Sequence, residues 1–223
     1  MSFLSKSLAV ARKETIAELR TREMVFAVLV FTILVIVIFN FTAGVDQEVI
    51  RAAAPGLLWA TFSFSGTLSL NRTFVREKEN GCLEGLMSCP ASREVIYVGK
   101  VLSNLLFMLV IEIIALLVFT LLFNIYVLSP PLLVITVLAT FGFATVGTLF
   151  SGLSANTKAR EMVLPILFLP IVLPVIIAAV RGSEQVLAGK SWAGLSPWFQ
   201  LILAFDAVLS VVSFLVFPYV IEE

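Results

Sequence analysis

Apolar runs alternate with short polar breaks along this chain. The runs cover residues 24–43, 55–70, 101 to about 125, 130 to about 153, 163–180 and 199–221. Twenty helical residues span about 30 Å, the apolar thickness of a bilayer. The pattern predicts an all-α polytopic membrane domain of six spans. Residues 4–20 differ. At helical spacing Leu4, Leu8, Ala9, Ala11, Thr15, Ile16 and Leu19 share one face, with Lys6, Lys13, Glu14, Glu18 and Arg20 opposite and Arg12 inside the apolar arc. That is an amphipathic helix expected to lie in a membrane interface, with a plain core-facing helix as the alternative. It is too charged for a secretory signal.

Local signals place the breaks. Pro55 is expected to open the second span at its first helical position, after a short loop carrying Asp46, Glu48 and Arg51. Ser92 is a candidate N-cap for a helix running into the third span. Gly142, Gly147 and Gly152 recur at five-residue spacing in the fourth span. Pro165, Pro170 and Pro174 predict kinks or a re-entrant turn in the fifth. Residues 181–198 read as a short interfacial helix or hairpin, with Trp192 and Trp198 at headgroup level.

Composition agrees with the pattern. Sixty per cent of the 223 residues are apolar and 13% charged, against about 45–50% apolar in soluble domains. The net charge of zero carries no sign of a nucleic-acid partner. The placement of charge says more. With the N-terminus inside, the inside segments hold twelve of the fifteen Lys and Arg, and the outside loops hold only Arg51, Arg181 and Lys190. That bias predicts both termini on the cytoplasmic side.

Histidine is absent, which removes the commonest general base and the commonest metal ligand. No phosphate-binding loop is present, and no metal-ligand spacing occurs. The chain is therefore not expected to be an enzyme. Cys82 and Cys89 both lie in the long charged break and are expected to be reduced thiols there. Glu112 is the acidic residue nearest the middle of an apolar run. A carboxyl there could line a path, relay a proton or make a structural polar contact, with Asn104 two turns earlier as a partner. Asp206, in the sixth span, could face an outer vestibule, act as a local cap or pair with Arg181.

The longest break, residues 72–100, holds five of the Lys and Arg. Gly81 is placed to cap a helix ending in Arg76, Glu77, Lys78 and Glu79. A short helix then carries Leu83, Leu86 and Met87 on one side, beside Glu84, before Pro90. Such a helix either docks into a partner's groove or packs under its own bundle.

The pattern of Arg76, Glu77, Gly81, Leu83, Glu84, Leu86 and Pro90, with Lys100 opening the next span, resembles the coupling helix of type-2 ABC exporter permeases. The finer resemblance is to the CcmB-type (haem exporter protein B) family of membrane subunits. Four segments carry it: Glu18-Leu-Arg-Thr-Arg-Glu23, Pro55-Gly-Leu-Leu-Trp59, the charged loop, and Gly147 through Pro174. Together they reach across nearly the whole chain.

The resemblance implies a subunit of the cytochrome c maturation ABC transporter in a bacterial inner membrane. It would dock a partner ATPase subunit, which carries ATP and Mg, through Arg76, Glu77, Gly81, Leu83, Glu84, Leu86 and Met87. A second copy of the chain, a haem-handling membrane subunit, a small single-span subunit, a periplasmic haem chaperone and membrane lipid are the implied partners. Haem would be cargo of the complex, with no cofactor in this chain. The competing readings are a type-2 permease for a lipid-like, polysaccharide or drug substrate, and a scaffold that does not transport.

Overall fold

A computed structural model describes residues 3–21, 23–42, 47–71, 73, 92–155 and 160–222. Every element among them is a helix: α1 Phe3–Thr21, α2 Glu23–Thr42, α3 Gln47–Leu70, α4 Arg93–Phe123, α5 Pro130–Ala155, α6 Arg160–Leu187 and α7 Trp192–Glu222. Four of the described stretches are long and apolar enough to cross a membrane: Arg93–Phe123, Pro130–Ser154, Ile166–Leu187 and Trp192–Val220. In α2 the described apolar stretch is the shorter Phe26–Phe41.

The packing is that of a membrane protein. Leu106, Val110, Ile113, Leu117 and Leu121 form an outward apolar face on α4, while Lys100, Asn104 and Glu112 of the same helix are buried. In water this arrangement would be inverted. The main core joins α3, α4, α5 and α6 through Trp59, Phe62, Phe119, Phe143 and Phe168. Helix α5 lies at its centre, packed against α4, α6 and α7, and residues 142–149 of it are wholly buried. A second cluster, Tyr97, Val101, Leu149 and Phe217, closes the end where α4 begins and α7 finishes. There Arg93 donates to the Pro218 carbonyl at 3.4 Å. At the other end Asn40 donates to the Leu122 carbonyl at 3.0 Å.

Several boundaries differ from the sequence expectation. Pro55 does not open a helix: α3 begins at Gln47 and carries Pro55 inside it. Proline at this position forgoes one hydrogen bond to Arg51, and Glu48 in the first turn favours the earlier start through the helix dipole. Ser92 is the N-cap of α4, with extended backbone, but its hydroxyl makes no capping bond. Helix α6 runs unbroken from Arg160 through the three prolines to Leu187, so no re-entrant turn is present there. It ends at Gly189, with φ 73°. Gly189 N–H donates to the Val186 carbonyl at 3.0 Å and Lys190 N–H to the Gln185 carbonyl at 3.1 Å. This is the paired closure that favours glycine, and α7 starts directly after it. Trp192 is exposed and stacks on Phe199 with ring centroids 5.7 Å apart.

Helix α1 lies along the first turns of α4. It docks through its small residues: Ser7 and Ala11 are buried, while Leu4, Leu8 and Ile16 stay open. The contact depends on Gly99, where an added Cβ would lie 2.6 Å from Val10 Cβ and 2.9 Å from the Ser7 carbonyl oxygen. Gly99→Val is therefore expected to lift α1 off α4. Limited proteolysis checks this, with cleavage within α1 rising in the variant while the α4–α7 core stays intact.

Candidate functional site

Arg76, Glu77, Gly81, Leu83, Glu84, Leu86 and Met87 lie outside the described residues, as do Cys82 and Cys89. The structure does place both roots of their loop. Asn71 and Thr73 follow α3, and Ser92 leads into α4.

The roots meet α1 at Lys100. Its side chain is 1% exposed although it ends in an ammonium group. The Nζ donates to the Thr73 carbonyl at 3.3 Å and lies 3.7 Å from Glu14 Oε2 on α1. A buried ammonium persists only when paired and hydrogen-bonded. Lys100 thus ties three pieces together: α1, the exit of α3 and the start of α4. Adjacent polar contacts extend the tie. Thr15 and Ser103 hydroxyls lie 3.1 Å apart. Thr73 Oγ1 donates to Asn104 Oδ1 at 3.2 Å, and Asn104 Nδ2 donates to Thr148 Oγ1 on α5 at 2.8 Å. Ser151 Oγ donates to the Leu70 carbonyl at 2.6 Å. The α3-side end of the loop is held by hydrogen bonds to α4 and α5, and α4 in turn contacts α1 through Glu14 and Thr15.

Glu112 is 6% exposed and faces the bundle interior. Its partner is not Asn104. Thr140 Oγ1 on α5 donates to Glu112 Oε2 at 2.7 Å, and Asn104 is taken by Thr73 and Thr148. The two residues are two turns apart on one face, too far for their side chains to meet, so each bonds across to α5 instead. Glu112 also lines a cavity with Ser65, Ser69, Met108, Phe62 and Phe107.

Asp206 is 3% exposed, and neither carboxyl oxygen has a hydrogen-bond partner among the described residues. It does not pair with Arg181, whose Nη1 donates to Glu184 Oε2 at 3.0 Å on the exposed end of α6. Instead the Asp206 carboxyl sits against Gly142 of α5, where a side chain of any size would collide with it. Gly147 plays the same part for Leu70. The five-residue glycine spacing therefore marks close approaches to two different neighbours, α7 and α3.

Sequence reasoning singled out Lys100 only as the residue opening a span. It did not find Glu14 as its partner, nor the threonines that hold Glu112 and Asn104. One signal was available. Lys100, Asn104, Met108 and Glu112 recur every four residues, which puts them on a single face of a helix. Another contact had no such signal: Trp59 Nε1 donates to Ser183 Oγ at 2.9 Å across α3 and α6. Among the described residues no group of His, Cys, Asp or Glu is arranged to hold a metal.

Comparison with known proteins covers the same ground. The family model described as "CcmB protein" matches residues 5–222. Heme exporter protein B of Pseudomonas aeruginosa is 25% identical over 205 residues, covering 92% of each chain. Heme exporter protein B of Bradyrhizobium diazoefficiens is 27% identical over 190 residues, 85% of this chain and 83% of its own. That of Rhodobacter capsulatus is 28% identical over 163 residues, 70% of this chain and 74% of its own. A match running from the first turn of α1 to the last turn of α7 leaves no helix outside it, and on that ground the chain belongs to the CcmB family.

Proposed function

We propose that this chain is the membrane permease subunit of a bacterial haem-export complex serving cytochrome c biogenesis. ATP hydrolysis on a partner ATPase subunit is coupled through residues 72–100 to export of haem or release of a haem-loaded chaperone. The bundle crosses the inner membrane six times with both termini cytoplasmic, as a type-2 permease paired with a second copy. A haem-handling membrane subunit, a small single-span subunit and a periplasmic haem chaperone complete the assembly. Chemistry at ATP and Mg belongs to the ATPase subunit, and haem is cargo.

The observation that carries this reading is the fixed seat of the loop. Lys100 joins both loop roots to α1, so force on the loop reaches α1, α4 and α5 as one body. A loop that only connected two spans needs no such seat. The open row of Leu4, Leu8 and Ile16 on α1, beside exposed Arg12 and Lys13, suits the headgroup layer of the membrane.

The test is complementation in a bacterium lacking its own copy of this subunit, with membranes stained for covalently attached haem. Restored c-type cytochromes support the reading. Failure, with the chain present in the membrane and bound to its ATPase, points to a permease for another substrate. Leu86→Asp is expected to abolish restoration and to uncouple ATP hydrolysis in a complex that still folds. Unchanged ATPase coupling in that variant would instead identify a scaffold. Glu112→Gln is expected to impair restoration more than Asp206→Asn in the same assay. Equal wild-type activity of both would return Glu112 to a structural role.

A further inference from the structure

A polar seam runs inside the bundle from the loop-bearing end towards its middle. On α4 it consists of Lys100, Asn104, Met108 and Glu112, all buried at four-residue spacing. The twelve-residue separation of its ends corresponds to about 18 Å of helix. Thr148 and Thr140 face it from α5, and Thr73 bonds to it from beyond the end of α3. Ser69 and Ser65 stand one and two turns further from Thr73 on α3, at the levels of Met108 and Glu112.

Two features are left over by these hydrogen bonds. The Ser69 hydroxyl is 2% exposed and has no partner among the described residues. Thr140 occupies Glu112 Oε2, and Oε1 has no hydrogen-bond partner among them. Both residues line the same cavity, which has room for a single water-sized molecule between walls of Phe62 and Phe107. A buried hydroxyl without a partner costs on the order of 1–3 kcal/mol. A water with two or more polar partners removes that cost.

We propose that this cavity is an ordered water site at which Glu112 binds and releases a proton, reached from the loop-bearing end past Asn104 and Ser69. The step is a simple transfer. The carboxyl O–H bond breaks, its electron pair stays on Oε1, and the water oxygen held by Ser69 takes the proton. No other titratable group among the described residues faces the site. Val28 from α2, Phe62, Ser65 and Ser69 from α3 and Thr140 from α5 surround it. Lys100 lies three turns away on α4. Asp206 meets α5 at Gly142, two residues from Thr140 and so on the opposite side of that helix. The proposal does not depend on ATP coupling.

Infrared difference spectra of the purified chain in lipid nanodiscs test it. Subtracting Glu112→Gln from the unaltered protein is expected to leave one carboxylic-acid C=O band. Transfer to D2O is expected to shift that band within the mixing time. Ser69→Ala removes only the hydroxyl and is expected to slow the shift on the order of tenfold, as loss of a bridging water requires. Thr136→Ala, which removes a buried hydroxyl outside the cavity, is expected to leave the rate unchanged. Absence of the band, or a band that stays unshifted for hours, would overturn the proton site. An equal rate in Ser69→Ala, or a rate slowed as much by Thr136→Ala, would overturn the route through the cavity.

Discussion

Lys100→Glu is expected to destabilise the protein by about 3–5 kcal/mol, the cost of breaking a buried ion pair and leaving like charges together. Lys100 is wholly enclosed, and Glu14 Oε2 lies 3.7 Å from its Nζ. The variant would place two carboxylates where one ammonium now sits. The Thr73 carbonyl would face an acceptor and lose its donor. The check is a denaturant titration in mixed micelles, followed by tryptophan fluorescence. The reciprocal exchange, Glu14→Lys with Lys100→Glu, restores opposite charges across the same contact and is expected to recover part of the loss. Recovery stays partial because Lys13, whose Nζ lies 3.2 Å from Glu14, would then face a second cation. A double variant no more stable than Lys100→Glu alone would mean that the Glu14 contact does not hold Lys100. In cells the single variant should also lower the amount of chain in the membrane, because a loss of this size is a large share of a domain's stability.

Gly142→Ala gives the second large effect, with the opposite sign from what helix preference alone would give. Alanine favours a helix over glycine by up to about 1 kcal/mol. At Gly142 the added methyl meets the carboxyl of Asp206, itself buried, and overpacking of this kind costs about 1–3 kcal/mol. Gly56 on α3 is the contrast. An added Cβ there meets nothing within 4 Å, so Gly56→Ala is expected to be neutral or stabilising. Asp206→Ala alone is also expected to be neutral or stabilising, since it removes a buried carboxyl that has no hydrogen-bond partner among the described residues. The double-mutant cycle therefore carries the test. Coupling of about 1–3 kcal/mol between Gly142→Ala and Asp206→Ala is expected if the two side chains collide. Additive effects would show that α5 and α7 do not approach at this pair.

Both effects arise where the chain departs from a uniform apolar interior. Lys100, Asn104, Glu112 and Asp206 are each buried, and each is handled differently. Lys100 is paired, Asn104 is bonded on both amide atoms, Glu112 is held by one threonine, and Asp206 is lodged against a glycine. In lipid such groups cannot be left facing outward without cost, so each one marks the inner face of its helix.

Much of the architecture was legible in the residues. Four of the six apolar runs fall in described helices long and apolar enough to cross a bilayer, because a charge within such a run is costly. The period of residues 4–20 revealed α1 as a separate amphipathic helix. The four-residue recurrence of Lys100, Asn104, Met108 and Glu112 shows which side of α4 turns inward, since polar groups avoid lipid whatever their neighbours. The apolar pattern carried no such information. Lipid tails and a protein interior are equally apolar, so a leucine on α4 does not record which of the two it touches. Only tertiary packing decided that Glu112 bonds to Thr140 rather than Asn104. Only packing decided that α1 buries Ser7 and Ala11 instead of Leu4 and Leu8, and that Asp206 rests on Gly142. Each of these depends on which helix stands opposite, and that is set by how closely small residues let two backbones approach, a property of pairs of segments far apart in the chain.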